Sequence, residues 1–182
     1  MYKRQNYDRA AVGNPRTPEI QYGIPAGVSY KGFDFSMLWQ GSALCSVQLS
    51  GPAVWDFPLY DQSRTGKVRK MHLNRWTPET AATATYPALH YGIHNNNKQQ
   101  YSSLFLYDAS YIRLKNVEIG YTLPKAWTSK AGIQSVRIYA QGQNLLTFDR
   151  LGDVDMDPEI KNGDGSWFPV QRVVNLGINM TF

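Results

Sequence analysis

Residues 171–182, QRVVNLGINMTF, decide the fold. Val174, Leu176, Ile178, Met180 and Phe182 alternate with Asn175, Gly177, Asn179 and Thr181. Successive side chains of a β-strand point to opposite faces, so this segment has one apolar face and one small, polar face. A strand of about 9–11 residues, with lipid on one side and water on the other, is the unit of a membrane β-barrel. A strand of a soluble sandwich carries the same alternation. The rest of the sequence has to choose.

Working upstream, Ser135 to Phe148 repeats the pattern, with Val136, Ile138 and Ala140 opposite Arg137, Tyr139, Gln141 and Gln143. That second face is unusually polar for a packed interior, and a water-filled lumen accounts for it more easily than a dry sandwich core does. From Ile20 to Tyr30 the apolar positions are Ile20, Tyr22, Ile24, Ala26, Val28 and Tyr30, a period of two. Lys31-Gly32 reads as a tight turn. Beyond it Phe33, Phe35, Met37 and Trp39 share a face, opposite Asp34, Ser36 and Gln40. Ala109 to Leu123 is less regular: Ile112 and Leu114 fall on one face, Val117, Ile119 and Tyr121 on the other. Either a β-bulge near Lys115-Asn116 or emergence of the outer part from a membrane reconciles them. Tyr30 and Trp39, near strand ends, suit an aromatic girdle. The fold class expected is all-β: antiparallel strands over 20–30, 33–45, 111–123, 135–148 and 171–182.

Between the strands lie two long stretches without steady period, Ser46 to about Tyr107 and Asp149 to Val170. Loops of that length count against a compact soluble domain, whereas outer-membrane barrels pair short turns with long external loops. Residues 124–133 have room for one helical turn. Composition is compatible with a soluble domain and with an outer-membrane barrel alike. The 182 residues include 12 Tyr, 7 Phe and 5 Trp, and 18% are charged. No apolar run approaches the roughly 18 residues of a transmembrane helix, which leaves barrels untouched. The formal charge is +5. Lys67, Arg69, Lys70 and Arg75 cluster, but no nucleic-acid recognition motif accompanies them, so no nucleic-acid partner is expected. The lone Cys45 allows no internal disulfide. No apolar signal-peptide core follows Met1.

With the strands placed, several strings take on a family likeness. They are Gly13-Asn14-Pro15, YKGFDFSMLWQG (30–41), RWTPE (75–79), ATYPALH (84–90), YIRLKNVEIGYTLPK (111–125), GIQSVRIYAQGQNLLTF (132–148), Asp157-Pro158-Glu159 and FPVQRVVNLGINMTF (168–182). In order and spacing the chain resembles the C-terminal barrel end of SusC/RagA-type, TonB-dependent outer-membrane transporters. Arg16-Thr17-Pro18 is one residue longer than the family's usual stretch, and residues 42–62 match little of it. The resemblance implies an incomplete barrel of about five strands with long extracellular loops. Residues 1–182 would be the C-terminal segment, without signal peptide, TonB box or plug.

The resemblance further implies a place in the cell outer membrane and import of glycans or peptides with TonB-derived energy. The partners would be a SusD-like surface lipoprotein as lid, the TonB complex through the missing N-terminal part, and outer-membrane lipid. A periplasmic C-terminus would place 46–109 and 149–170 outside the cell, and turns 31–32 and 124–134 in the periplasm. Val174, Leu176, Ile178 and Met180 would face lipid. Terminal aromatics in such barrels act as signals for the assembly machinery, so Phe182→Ala in the full-length context should lower outer-membrane assembly. Unchanged amounts of folded protein in that membrane would count against this role.

The expected external loops carry Trp55, Trp76, Tyr86, Tyr91 and Trp167, whose rings suit stacking on the apolar faces of sugars. Asp153, Asp155, Asp157 and Asp164 follow the 1, 3, 5, 12 spacing of a calcium loop. Pro158 stands where that loop needs glycine, and Asp164 replaces its glutamate, so calcium is the weaker reading beside no cofactor at all. His90 and His94 have helical zinc spacing, but Gly92 weakens the helix and no glutamate accompanies them. No nucleophile elbow or phosphate loop is present, so no enzyme is expected. The alternative to the transporter is a soluble all-β carbohydrate-binding module using the same aromatics.

Overall fold

The computed structural model describes residues 10–54, 70–90, 102–154, 156–160, 163–165 and 167–182. They belong to two compact units. One comprises Ile20–Ala43, Ser110–Asp149 and Phe168–Phe182; the other draws on Met1–Glu19, Leu44–Ala109 and Arg150–Trp167.

The first unit is an antiparallel sheet of five strands: β1 (Ile20–Tyr30), β2 (Phe33–Ala43), β5 (Tyr111–Thr122), β6 (Ser135–Asp149) and β7 (Val173–Thr181). They neighbour one another in that order, each paired with the next along the chain. β1 and β2 are joined by Lys31 (φ 47°) and Gly32 (φ 89°). Two central residues at positive φ match the twist of paired strands, which is why a turn of this kind closes so tightly. β5 and β6 are joined through a short helix, Lys125–Thr128, and a 3-10 turn, Ser129–Ala131, that ends on Gly132 at φ 73°. β2 stops at Ala43 and not at 45. Leu44 turns to φ 53°, and the carbonyl of Cys45 instead accepts from Ala109 N–H at 2.9 Å.

The irregular strand resolves as a bulge. On β2, Leu38 pairs with Asn116 and Trp39 with Leu114, leaving Lys115 as the extra residue. On β6, Leu114 pairs with Leu146 and Asn116 with Gln143, leaving Asn144 and Leu145 out of register. Asn144 takes φ 53° there, and its side-chain amide donates to the Gln171 carbonyl at 3.0 Å. The bulge returns Ile112 and Leu114 to the face of Val117, Ile119 and Tyr121.

Cross-strand partners share a face, so the register sorts the whole sheet. Rows such as Val28–Phe35–Ile119–Ala140–Leu176 and Tyr30–Phe33–Tyr121–Ile138–Ile178 are apolar or aromatic throughout. Phe33 packs on Tyr121 with ring centroids 4.3 Å apart, and Trp39 stacks on Phe148 at 6.4 Å. Ile24, Val28, Phe33, Ile119, Ile138, Val174, Ile178 and Met180 are all exposed, and Leu176 reaches 84%. Soluble monomers rarely expose a contiguous apolar patch beyond a few hundred Å². The opposite face carries Gln21, Asp34, Ser36, Gln40, Arg113, Glu118, Arg137, Gln141, Asn175 and Asn179.

The second unit is made largely from the two long stretches. β3 (Ser46–Gln48) and β4 (Leu106–Asp108) pair antiparallel, a small sheet that the strand periodicity does not foretell. Leu49, Ala53, Val54, Tyr86 and Phe105 form one buried cluster, and Cys45, Val47, Ala109 and Leu151 another. Ser50 N–H donates to the Gly163 carbonyl at 2.8 Å, tying the second long stretch to the first. A Cβ on Gly163 would meet the Gln48 backbone, so this approach requires glycine.

Candidate functional site

On the polar face of the sheet, three strands meet at an ion cluster. The Arg137 guanidinium on β6 donates through Nε to Asp34 Oδ1 on β2 at 3.0 Å and through Nη2 to Asp34 Oδ2. The same Nη2 reaches Glu118 Oε1 on β5 at 2.5 Å. Arg137 and Asp34 stand two strands apart, so the arginine crosses β5. It can do so because Gly120 lies beneath it: a Cβ there would sit 2.5 Å from Nη2 and 2.7 Å from Asp34 Oδ1. Gly177 plays the same part for Tyr139, whose hydroxyl would be 2.5 Å from an added Cβ. Arg137 also lies over the Tyr139 ring, 5.1 Å from its centroid.

Bidentate pairing with Asp34 and a second carboxylate fixes the planar guanidinium in one geometry. The Arg137 and Asp34 side chains are about a quarter to a third exposed (25% and 30%), so water screens the cluster only in part. Arg137→Leu would leave two carboxylates facing each other. We expect a clear fall in the midpoint of thermal barrel unfolding, partly restored by Asp34→Asn in the same background. A midpoint equal to wild type would contradict the cluster's structural role. Nearer the other end of the same face, Arg113 is 2% exposed. Its Nε donates to the directly opposite Thr147 hydroxyl at 2.9 Å, and its guanidinium lies 5.5 Å from the Tyr111 ring centroid. These basic residues were not among the sequence candidates.

The aromatic candidates fall into different environments. Trp55 and Tyr91 lie outside the described residues. Tyr86 is 3% exposed and belongs to the core. Its hydroxyl donates to the Val54 carbonyl at 2.7 Å, and its ring packs against His72 and Phe105 at 4.7 and 5.9 Å. The expectation that Tyr86 offers a stacking face is therefore corrected, because its faces already carry packing partners. Trp76 and Trp167 are 47% and 65% exposed.

Trp76 stands on a pinned turn. Its N–H donates to the Tyr86 carbonyl at 2.8 Å. Thr80 Oγ1 accepts from Thr77 N–H at 2.8 Å and donates to the Arg75 carbonyl at 2.8 Å. Hydrogen bonding from Thr77, then from its own backbone, holds the Glu79 carboxyl below its ordinary range. An exposed indole on so constrained a turn loses little freedom when it meets a ligand.

Only part of the acidic loop lies within the described residues. Asp157 is buried, and its Oδ1 accepts from Glu159 N–H at 2.9 Å, closing a turn on itself. Asp153 lies close enough to the half-buried Tyr107 that burial, then this charge, raises the phenol's pKa. Asp155 lies outside the described residues. Among the described residues no group of three or more His, Cys, Asp or Glu is placed to hold a metal ion, and Asp153, Asp157 and Asp164 form none.

No family model matches the chain. TonB-dependent receptor P3 of Formosa agariphila is 30% identical over 188 residues, covering 96% of this chain and 17% of the relative. TonB-dependent receptor SusC of Bacteroides thetaiotaomicron is 25% identical over 167 residues, covering 90% of this chain and 15% of the relative. Among solved structures, the RagAB peptide importer in its open-open state superposes with a TM-score of 0.74 at 25% identity. The match covers 99% of this chain and 19% of that one. Over nearly all its length the chain is similar to TonB-dependent receptors, SusC among them, and its antiparallel sheet matches the C-terminal barrel part of a TonB-dependent transporter. It spans less than a fifth of the length of the relatives named here (17%, 15% and 19%). In that match the five-stranded sheet corresponds to barrel wall, and the Arg137 cluster lies on the sheet's polar face.

Proposed function

We infer that residues 1–182 are the C-terminal segment of an outer-membrane active transporter. It takes up an oligosaccharide or a peptide with energy delivered through TonB, and a SusD-like surface lipoprotein covers it. The observation that carries this reading is the sheet with one continuous apolar face and one polar, ion-paired face. A bilayer on one side and an aqueous lumen on the other satisfy both faces at once. On this reading Val174, Leu176, Ile178 and Met180 face lipid, Phe182 marks the periplasmic rim, and the unit containing β3 and β4 lies outside the cell. The segment's work is transport and not catalysis.

A soluble carbohydrate-binding module is not favoured, since it would have to keep Leu176 and its neighbours in water at about 25 cal/mol per Å² of apolar surface. The outer loops supply the candidate contacts for substrate or lid, chiefly Trp76 and Trp167. Replacing both by alanine in the complete transporter should weaken substrate binding or lid association by about tenfold or more, since buried indoles are common anchors. Calorimetry and co-purification separate the two outcomes. The first test of the whole reading is uptake by cells carrying the intact receptor, with and without proton-motive force. Binding without energy-dependent accumulation would reject active import.

A further inference from the structure

The two turns that close one end of the sheet carry a one-sided charge. Residues 31–32 and 123–134 contain Lys31, Lys125 and Lys130 and no Asp or Glu. Each turn is tied to a neighbouring strand at this end: Thr122 N–H at the end of β5 donates to the Gly32 carbonyl at 2.7 Å, and Gln134 N–H donates to the Thr181 carbonyl of β7 at 2.8 Å. Lys125 and Lys130 are exposed, and Lys31 Nζ lies 5.1 Å from the centroid of the exposed Tyr30 ring. Trp127, between the other two lysines, is 68% exposed. Beside it runs a groove of about 410 Å³ lined by Lys125, Ala126, Ser129, Gly132, Ile133 and Gln134. The neighbouring carboxylates of Asp34 and Glu118 share one guanidinium, Arg137, and lie on the polar face, opposite the one that carries Tyr30 and Phe33.

Positive charge, amphipathic rings and the rim of the apolar face thus coincide. A free inorganic anion would use the ammonium groups alone and would leave Tyr30, Trp127 and the apolar rim without a role. An anionic phospholipid uses all three: its phosphodiester meets the lysines, its glycerol region meets the rings, and its acyl chains run along the apolar face. We propose that this turn end is a binding site for the head group of an anionic phospholipid, formed by Lys31, Lys125 and Lys130 with Tyr30 and Trp127. The proposal rests on the barrel reading above.

The test uses the complete receptor in nanodiscs of phosphatidylcholine containing a minor fraction of phosphatidylglycerol, with retained lipid counted by native mass spectrometry. Wild type should retain phosphatidylglycerol in preference to phosphatidylcholine. The combined Lys31→Gln, Lys125→Gln, Lys130→Gln variant should lose that preference about tenfold or more. Trp127→Ala should lower retention of both lipids and leave the preference in place. An unchanged preference in the lysine variant would overturn the site, as would displacement of the lipid by millimolar inorganic phosphate. Heat-modifiable migration on gels reports insertion separately. A receptor that never inserts into either bilayer rejects the barrel reading itself, whereas an inserted one without lipid preference rejects only this site.

Discussion

Leu176→Arg should destabilise the inserted receptor by about 2–4 kcal/mol, while Asn175→Arg one residue earlier should change it by no more than about 1 kcal/mol. Both residues sit mid-strand on β7. They differ only in the face they occupy: Leu176 pairs with Ala140 in an apolar row, and Asn175 with Gln141 in a polar one. An arginine at the bilayer midplane must thin the membrane or carry water with it, whereas in an aqueous lumen it keeps its hydration. The check is equilibrium unfolding in denaturant, followed by the receptor's heat-modifiable migration. Equal losses at the two positions would mean that the faces do not meet different solvents.

The second large effect belongs to the other unit. Tyr86→Ala should cost the β3–β4 unit about 3–5 kcal/mol, because it empties a core position between His72 and Phe105. Tyr86→Phe should cost only about 1 kcal/mol, the hydroxyl's bond to the Val54 carbonyl. Hydrogen exchange over residues 46–54 and 102–109 in the assembled receptor reads the loss locally while the barrel wall stays folded. A Tyr86→Ala receptor with unchanged protection and abolished substrate binding would restore Tyr86 as a ligand contact.

Much of the barrel wall was legible because a period of two is a local property. Each strand announced its two faces without reference to its neighbours, and even the break at Lys115-Asn116 pointed to a bulge as one of two explanations. What sets a neighbour, however, is register, and register depends on residues far away in sequence. Arg137 and Asp34 are 103 positions apart, so nothing local marks them as partners. Gly120 is the one hint, a glycine inside a strand, and such a residue often marks a close approach. The outer stretches failed for a related reason. Their apolar residues follow no period because the unit is assembled from short turns, so Tyr86 in a core and Trp76 on a surface look alike in sequence. Only the packing around each ring separates them.

The central claim is that one face of this sheet meets lipid and the other water. It is tested most directly by single nitroxide labels at positions 174, 175, 176, 178 and 179 of the receptor in liposomes, with Cys45 replaced by alanine and Gly177, which lies under Tyr139, left in place. Collision with oxygen reports lipid, and collision with a water-soluble nickel chelate reports water. The account predicts oxygen maxima at Val174, Leu176 and Ile178 and nickel maxima at Asn175 and Asn179. Uniform access of the nickel chelate along the whole segment would contradict it.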